Sequence, residues 1–288
     1  MFAVFGYVRI VPKPSATKEQ LRFRGSRYLQ TELLVIAESH QSQTNGILEN
    51  LTSLHSEIFG IWMMYMDLAN FLDSTNVKPN ASEKDIRKLC QEAKKYHFWS
   101  VCVLPTFVKS AKNFLRGSKV KIAAVVGFPF GSNSTSAKMA ETKEVVKNGA
   151  DEIDMVMNIG AFKSKLFNLV KRDIQAVVKA AAGRIVKVIL ETGYLNEKEI
   201  IKACQLAKEA KATFVKTSTG FGPGGATAAD IKLMRKTVGP KIGVKASGGI
   251  RDYQAALKMI AAGATRIGTS SAKEIVTGET KNDVKNKY

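Results

Sequence analysis

Three lysines lie within short apolar runs that have the composition of buried β-strands. They are Lys187 in 186–189, Lys216 in 214–217 and Lys245 in 243–246. Desolvation and a neighbouring ammonium both disfavour the charged form of an amine, so one lysine of such a set can be a neutral nucleophile while another stays cationic. A lone strand lysine usually reaches solvent. Three in successive strands favour carbonyl chemistry through an imine.

A carboxylate lies inside another apolar run. Asp154 is in the stretch 152–156. Buried acids are rarely left unpaired, so we expect Asp154 to face the lysines and to shuttle protons. The alternative is an aspartate at a strand end in solvent.

Two glycine-rich segments follow the seventh and eighth predicted strands, and each opens a helix. Loops at these positions of an α/β barrel commonly hold phosphate, because exposed N–H groups and the helix dipole favour an anion. The alternative is plain turn glycines. The candidate phosphate-binding residues are Gly248, Gly249, Arg251, Gly268, Ser270 and Ser271.

These residues are positioned by a regular alternation of strands and helices that begins near residue 66. The order predicts parallel strands joined by crossover helices. Eight units in about 210 residues favour an α/β fold of the (β/α)8 TIM-barrel type over an open doubly wound sheet, and no glycine fingerprint follows the first strand. The predicted strands are 71–75, 100–104, 122–128, 152–157, 186–191, 213–217, 242–246 and 266–269.

Helix ends are marked by local signals. Ser82 with Asp85, and Asn196 with Glu199, have the spacing of capping boxes. Glycines also stand just past the ends of predicted helices, where a left-handed residue is favoured. They are Gly149, Gly183, Gly239 and Gly263.

The formal net charge of +19 comes from lysines spread over nearly every predicted helix, Lys138 among them. We expect these lysines to form a solvated shell that attracts anionic substrates. No groove-reading or base-stacking motif accompanies the charge, so a specific nucleic-acid partner is not predicted.

The cysteines and the hydropathy indicate a cytoplasmic protein. Cys90, Cys102 and Cys204 form no paired motif and fit reduced, buried thiols. No apolar run approaches the roughly 18 residues that would span a membrane. The three histidines are His40, His55 and His97, which leave neither a histidine base nor a zinc site in the predicted barrel. We therefore expect no metal and no cofactor, and aldol chemistry on a phosphorylated sugar.

Residues 1–65 have no sustained period and receive no predicted fold. One hypothesis is a translated upstream region with the native start at Met63, Met64 or Met66. The alternatives are a poorly ordered extension and an organellar transit peptide. The barrel domain is predicted over 66–288, with a tail at 277–288.

Four segments resemble the deoxyribose-phosphate aldolase family, over about residues 67–276. They are 126–129, 151–156, 214–222 and 244–251. The resemblance implies a homodimeric, metal-free lyase that interconverts 2-deoxy-D-ribose 5-phosphate with glyceraldehyde 3-phosphate and acetaldehyde, in deoxyribose catabolism.

By position, the resemblance implies that Lys216 forms the imine, that Lys245 keeps the pKa of Lys216 low, and that Asp154 relays protons through water beside Lys187. It adds Gly220 to the phosphate site, and the terminal Tyr288 as a residue that reaches the substrate.

Two positions depart from the family. Ser74 stands where histidine is common, and Leu104 where a polar residue is frequent, so contacts at that rim are expected to change. The competing functions are a different Schiff-base aldolase, a sugar-phosphate isomerase and a basic nucleic-acid-binding protein.

Overall fold

The computed structural model describes residues 67–278. Its eight strands are all parallel and close into one barrel in chain order, with β8 pairing β1. The predicted (β/α)8 barrel is thus confirmed. The strands are β1 (Leu72–Asn76), β2 (Ser100–Val103), β3 (Lys121–Val126), β4 (Glu152–Val156), β5 (Ile185–Ile189), β6 (Phe214–Lys216), β7 (Gly243–Ser247) and β8 (Arg266–Thr269).

Helices connect the strands on the outside of the barrel. Short 3₁₀ turns lie at Leu68–Phe71, Pro105–Phe107 and Thr192–Tyr194. The α-helices are α1 (Glu83–Lys95), α2 (Val108–Phe114), α3 (Thr135–Lys147), α4 (Ile159–Lys163), α5 (Phe167–Ala180), α6 (Glu197–Glu209), α7 (Ala228–Val238), α8 (Tyr253–Ala261) and α9 (Ala272–Thr277).

The residues predicted to mark helix ends lie at helix ends in the structure. Ser82 and Asp85 form a reciprocal capping box at the start of α1, and Asn196 and Glu199 form another at α6. Each satisfies two backbone N–H groups that would otherwise lack partners. The predicted terminal glycines all have positive φ, at Gly149, Gly183, Gly239 and Gly263.

Strand bounds differ from prediction by one or two residues where the backbone turns. The third strand was expected to reach Phe128 but ends at Val126. Gly127 has φ of +62° and donates its N–H to the Glu141 carboxylate on α3, so the chain leaves the sheet there. Glu191, expected to end the fifth strand, has φ of +57° and follows it.

Alternation along each strand separates two chemical environments. Side chains such as Ile153, Met155, Val215 and Val244 are fully buried and apolar. Alternate positions of the same strands carry charged groups, which turn inward together. The barrel interior therefore holds a charged cluster, and the apolar side chains of these strands pack between sheet and helices.

Lys138 corrects the predicted solvated shell, because its side chain is fully buried. Its Nζ contacts Asp173 Oδ2 of α5 at 2.6 Å and donates to the carbonyl of Val156 at 3.0 Å. The hydroxyl of Thr135 donates to the other Asp173 oxygen. The pair joins α3 and α5 to the carboxyl end of β4. A lysine surrounded by polar residues in sequence gives no sign of this burial.

Lys138→Met is expected to lower the free energy of unfolding by about 3–5 kcal/mol, because it leaves Asp173 buried without its cation. Urea denaturation measures this loss. Lys138→Met combined with Asp173→Leu should be less damaging than the single variant, since no lone charge remains. A single variant as stable as the parent would contradict the buried ion pair.

The remaining predictions concern the two ends of the chain, membrane-spanning helices and the cysteines. Residues 1–66 and Tyr288 lie outside the described range. Within 67–278, no helix is long and apolar enough to cross a membrane. Cys90, Cys102 and Cys204 are free and buried, as predicted.

Candidate active site

Successive strands bring the predicted chemical residues together inside the barrel. Asp154 of β4 lies in register with Lys187 of β5, and Lys216 of β6 lies in register with Lys245 of β7. Their side chains share the inner face, as the alternation requires. The structure brings these four predicted residues together in one cluster.

The Asp154 carboxylate is the centre of this cluster. Its Oδ2 accepts from Lys216 Nζ at 2.8 Å and from Lys245 Nζ at 2.8 Å. Its Oδ1 accepts from Lys187 Nζ at 2.7 Å. Because one oxygen bonds both amines, a proton can pass between Lys216 and Lys245 across a single atom.

Burial and charge act in opposite directions on these groups. Burial would raise the pKa of Asp154, but Lys187, Lys216 and Lys245 hold it well below its usual range. Burial would lower the pKa of Lys245, but Asp154 and Asp73 outweigh it and raise this pKa. The pKa of Lys187 is raised in the same way, chiefly by Asp154. The cluster thus contains an ionised carboxylate and two lysines that hold their protons.

A second layer of charges lies beneath, and sequence reasoning missed it. Asp73 Oδ2 contacts Lys245 Nζ at 2.5 Å, and Glu152 Oε2 contacts Lys187 Nζ at 2.5 Å. Arg266 Nη1 joins the two acids, at 2.9 Å from Asp73 Oδ1 and 3.1 Å from Glu152 Oε2.

A signal for this layer was present in the sequence. Glu152 precedes Asp154 by two residues, which puts both on the same face of one strand. Arg266 opens an otherwise apolar strand. Its guanidinium lies 4.5 Å from the ring centre of Trp99, a favourable stacking distance.

The segments predicted to hold phosphate form an open rim. Gly220, Gly248 and Gly249 all have positive φ, which favours glycine. The carbonyl of Gly248 accepts from Ala226 N–H at 3.0 Å, and this bond ties the loops after β6 and β7 together. Gly220, Gly249, Arg251 and Ser270 are exposed, so they are accessible to a ligand.

Gly268 and Ser271 lie differently from the other predicted rim residues. A Cβ added at Gly268 would stand 2.8 Å from Lys245 Cε, so its small size makes room for that lysine. Ser271 is buried, and its N–H donates to Thr269 Oγ1 at 2.9 Å. The glycine at 268 therefore has a packing reason besides the predicted phosphate contact.

Comparison with known proteins identifies the family. The sequence model described as DeoC/LacD family aldolase matches residues 61–277. The chain belongs to this family. It is therefore an aldolase, a carbon–carbon lyase.

Individual relatives agree with this membership. The deoxyribose-phosphate aldolase of Thermococcus gammatolerans is 58% identical over 220 residues, covering 75% of this chain and 98% of that protein. That of Streptococcus sanguinis is 57% identical over 214 residues, covering 74% and 97%. A solved structure described as a tetrameric deoxyribose phosphate aldolase from Aeropyrum pernix gives a TM-score of 0.69 at 35% identity, covering 73% of this chain and 89% of that one.

The loop after β6 of the aldolase has an anchor that the sequence did not reveal. Glu191, in a left-handed conformation, accepts from the N–H of Thr219 at 3.1 Å and from its hydroxyl. Gly222 packs against the same carboxylate. Ser218 is fully buried, and its Oγ has no hydrogen-bond partner in the described range. A buried hydroxyl without a partner is unusual, and this one lies two residues after Lys216.

The two departures from the family pattern have different surroundings in this aldolase. Asp73 faces the barrel interior, so alternation turns the next side chain, Ser74, toward the helices. Ser74 is buried there, on the face opposite to Asp73. Leu104 is partly buried and packs on the apolar cluster that contains Cys102, with Phe128 beside it.

Cys102 borders the charged cluster itself. Its Sγ lies 4.0 Å from Asp154 Oδ2, on the inner face of β2. Burial, and then Asp154, raise the pKa of this thiol. It is a neutral group there, in agreement with the predicted unreactive cysteine.

Proposed function

We propose that the aldolase reversibly cleaves 2-deoxy-D-ribose 5-phosphate to D-glyceraldehyde 3-phosphate and acetaldehyde through a Schiff base on Lys216. One observation carries the proposal: Lys216 and Lys245 are paired in register and share Asp154 Oδ2, in a site that excludes most water. The family and the named substrate of its relatives supply the substrate class.

The first stage of the reaction forms the imine. The unprotonated Lys216 amine attacks C1 of the open-chain aldehyde, and the carbinolamine loses water to give an iminium ion. Lys245 supplies the proton that leaves with this water, and Asp154 Oδ2 lies between the two amines. Asp154, beside Lys187, acts as the proton relay.

The second stage breaks the C2–C3 bond. A base removes the proton of the C3 hydroxyl through water, the bonding electrons move to the iminium nitrogen, and glyceraldehyde 3-phosphate leaves. The enamine that remains takes a proton at C2. Water then attacks the new iminium carbon, which releases acetaldehyde and restores Lys216.

We assign the substrate phosphate to the rim of Gly220, Gly248, Gly249, Gly268, Arg251, Ser270 and Ser271. Gly220 and Gly249, which are exposed and have positive φ, and the exposed Ser270 offer N–H and hydroxyl donors suited to an anion. Arg251 is exposed and has the fork geometry that phosphate favours.

Arg251→Ala is expected to raise KM for the phosphorylated substrate by about tenfold, since it removes a hydrogen bond to a charged group. KM for unphosphorylated 2-deoxyribose should stay unchanged, because that sugar offers nothing for the guanidinium to bind. Steady-state kinetics on both sugars measure the difference. Equal effects on the two would remove Arg251 from the phosphate site.

Borohydride trapping tests the proposed reaction. Sodium borohydride added with deoxyribose 5-phosphate or acetaldehyde should reduce the iminium to a stable secondary amine, located on Lys216 by peptide mass. An isomerase or a nucleic-acid-binding protein would show no adduct, and that outcome would reject the proposal. An adduct on another lysine would reject the assignment of Lys216.

Four finer features belong to the same proposal. We propose a metal-free, cofactor-free mechanism, which is supported by the cations already bound to Asp73, Glu152 and Asp154. A cytoplasmic location is supported by three free, buried thiols. The catalytic domain is assigned to 66–288, with Tyr288 reaching the substrate. A homodimer remains our expectation, although the Aeropyrum pernix relative is described as tetrameric.

A further inference from the structure

The ion-pair network inside the described barrel contains one more positive group than negative groups. With every member ionised, its ion-pair network has a net charge of plus one. Loss of one proton makes the network neutral. An uncompensated charge is costly in a medium of low dielectric constant, so the network as a whole favours release of one proton. Its members are Asp73, Glu152, Asp154, Lys187, Lys216, Lys245 and Arg266.

The contacts select Lys216 as the group that releases the proton. Lys187, Lys245 and Arg266 each contact at least two carboxylates. Lys216 contacts one, Asp154, and shares that oxygen with Lys245. Lys216 is also 4% exposed, whereas Lys187 and Lys245 are fully buried, so it is the lysine that a substrate reaches.

We propose that the charge balance of this whole network, and not Lys245 alone, keeps the Lys216 amine free of its proton. Glu152 and Arg266 are then positioning residues that act on Lys216 from the layer below, without touching substrate. This inference rests on the proposed Schiff-base function. It adds Glu152 and Arg266, with Asp73 between Arg266 and Lys245, to the residues that the reaction scheme uses.

The other strands add no further charge to the count. On β2, the buried Cys102 thiol is neutral, since burial raises its pKa, and Ser100 donates to Asp73. On β3, the buried members of the neighbouring cluster are Ala123 and Val125, which do not ionise. Beyond β5, the buried Glu191 carboxylate bonds the neutral Thr219 and forms none of the ion pairs that define the network. Within 67–278, the ion-pair network therefore contains three carboxylates and four cations.

Arg266 keeps a fixed positive charge in this count. Burial would lower its pKa, but Asp73 and Glu152 outweigh burial and raise it. Its guanidinium is also stacked near Trp99 and Phe214. The only groups in the network that can restore neutrality by losing a proton are the lysines.

Two substitutions should change the net charge of the network in opposite directions. Arg266→Met removes a cation, so Lys216 keeps its proton to higher pH. Glu152→Gln removes an anion, so Lys216 loses its proton at lower pH. We expect the acid limb of the kcat/KM profile to move up by about one pH unit in the first variant and down by about one in the second, since that limb reports the free enzyme.

Conservative and combined variants provide the controls. Arg266→Lys and Glu152→Asp keep the charges and should leave the limb in place. The double variant Glu152→Gln with Arg266→Met restores the balance and should return the limb to the parent position. If one of the single variants fails to fold, the double variant still tests whether the parent charge gives the parent limb.

The readout is the pH dependence of kcat/KM and of the rate of borohydride trapping with acetaldehyde, in variants whose thermal unfolding shows a folded protein. Opposite shifts, reversed in the double variant, support the proposal. Acid limbs that stay fixed in both single variants, or that move in the same direction, overturn the proposal. If the parent enzyme forms no adduct on Lys216, the Schiff-base function itself fails. If the parent forms the adduct on Lys216 but the acid limbs of the variants do not move, only the charge-balance proposal is rejected.

Discussion

Lys216→Ala is expected to lower kcat/KM by about 10⁴-fold or more and to abolish the borohydride adduct. The substitution removes the only group assigned to covalent attack, and losses of a nucleophile are among the largest known for single residues. Neither Lys245 nor Lys187 can replace it, because the carboxylates raise the pKa of both amines. Steady-state cleavage assays and intact mass after reduction measure the two effects.

A matched control separates loss of the nucleophile from loss of a lysine elsewhere in the chain. Lys208 is exposed on α6, so Lys208→Ala should retain full activity and the adduct. Thermal unfolding of Lys216→Ala should show a folded protein, since the remaining network is neutral. Retention of the adduct in Lys216→Ala would show that a different lysine attacks the substrate.

Asp154→Asn is expected to lower kcat/KM by about 10²–10⁴-fold, because it removes the proton relay and the oxygen that joins two amines. It should also lower the free energy of unfolding at neutral pH by about 3 kcal/mol or more, since three lysines lose a shared carboxylate. Asp154→Glu keeps the charge and should lose less stability.

The stability loss in Asp154→Asn should depend on pH with a defined sign. The lysines depress the pKa of Asp154 in the folded state, so its stabilisation is fully present above the unfolded value of about 4. It disappears as pH falls through the lower folded value. The gap between parent and variant should therefore narrow below about pH 4 in urea titrations. A constant gap down to pH 2 would contradict the ion pairs.

The fold and the centre of the site could be read from the sequence because their signals are local. Each strand lysine stands among apolar neighbours, and the parallel order of strands places Lys216 beside Lys245. Capping residues such as Ser82 fix helix starts through contacts three residues away. Predictions of this kind need no knowledge of distant packing.

The remaining features depend on contacts between distant residues. Lys138 resembles a surface lysine until α5 brings Asp173 against it. Arg266 pairs with Asp73 only after the barrel closes, and Glu191 after β5 meets Thr219 after β6, 28 residues along the chain. A single residue such as Arg266 stands out in its strand, but no period or motif in the sequence encodes its partner. Their positions follow from the closed sheet, which fixes the register of every strand.

Barrel closure also bears on how the chain reaches its native state. Arg266 and Asp73 are 193 residues apart, so the acid on the first strand meets its guanidinium only when the last strand docks. Until then a nascent chain exposes two open sheet edges and an interior with unmatched carboxylates. Contacts of such long sequence separation slow folding. A ribosome-bound chain stalled before residue 266 is therefore unable to complete this core, and stable structure arrives late in synthesis.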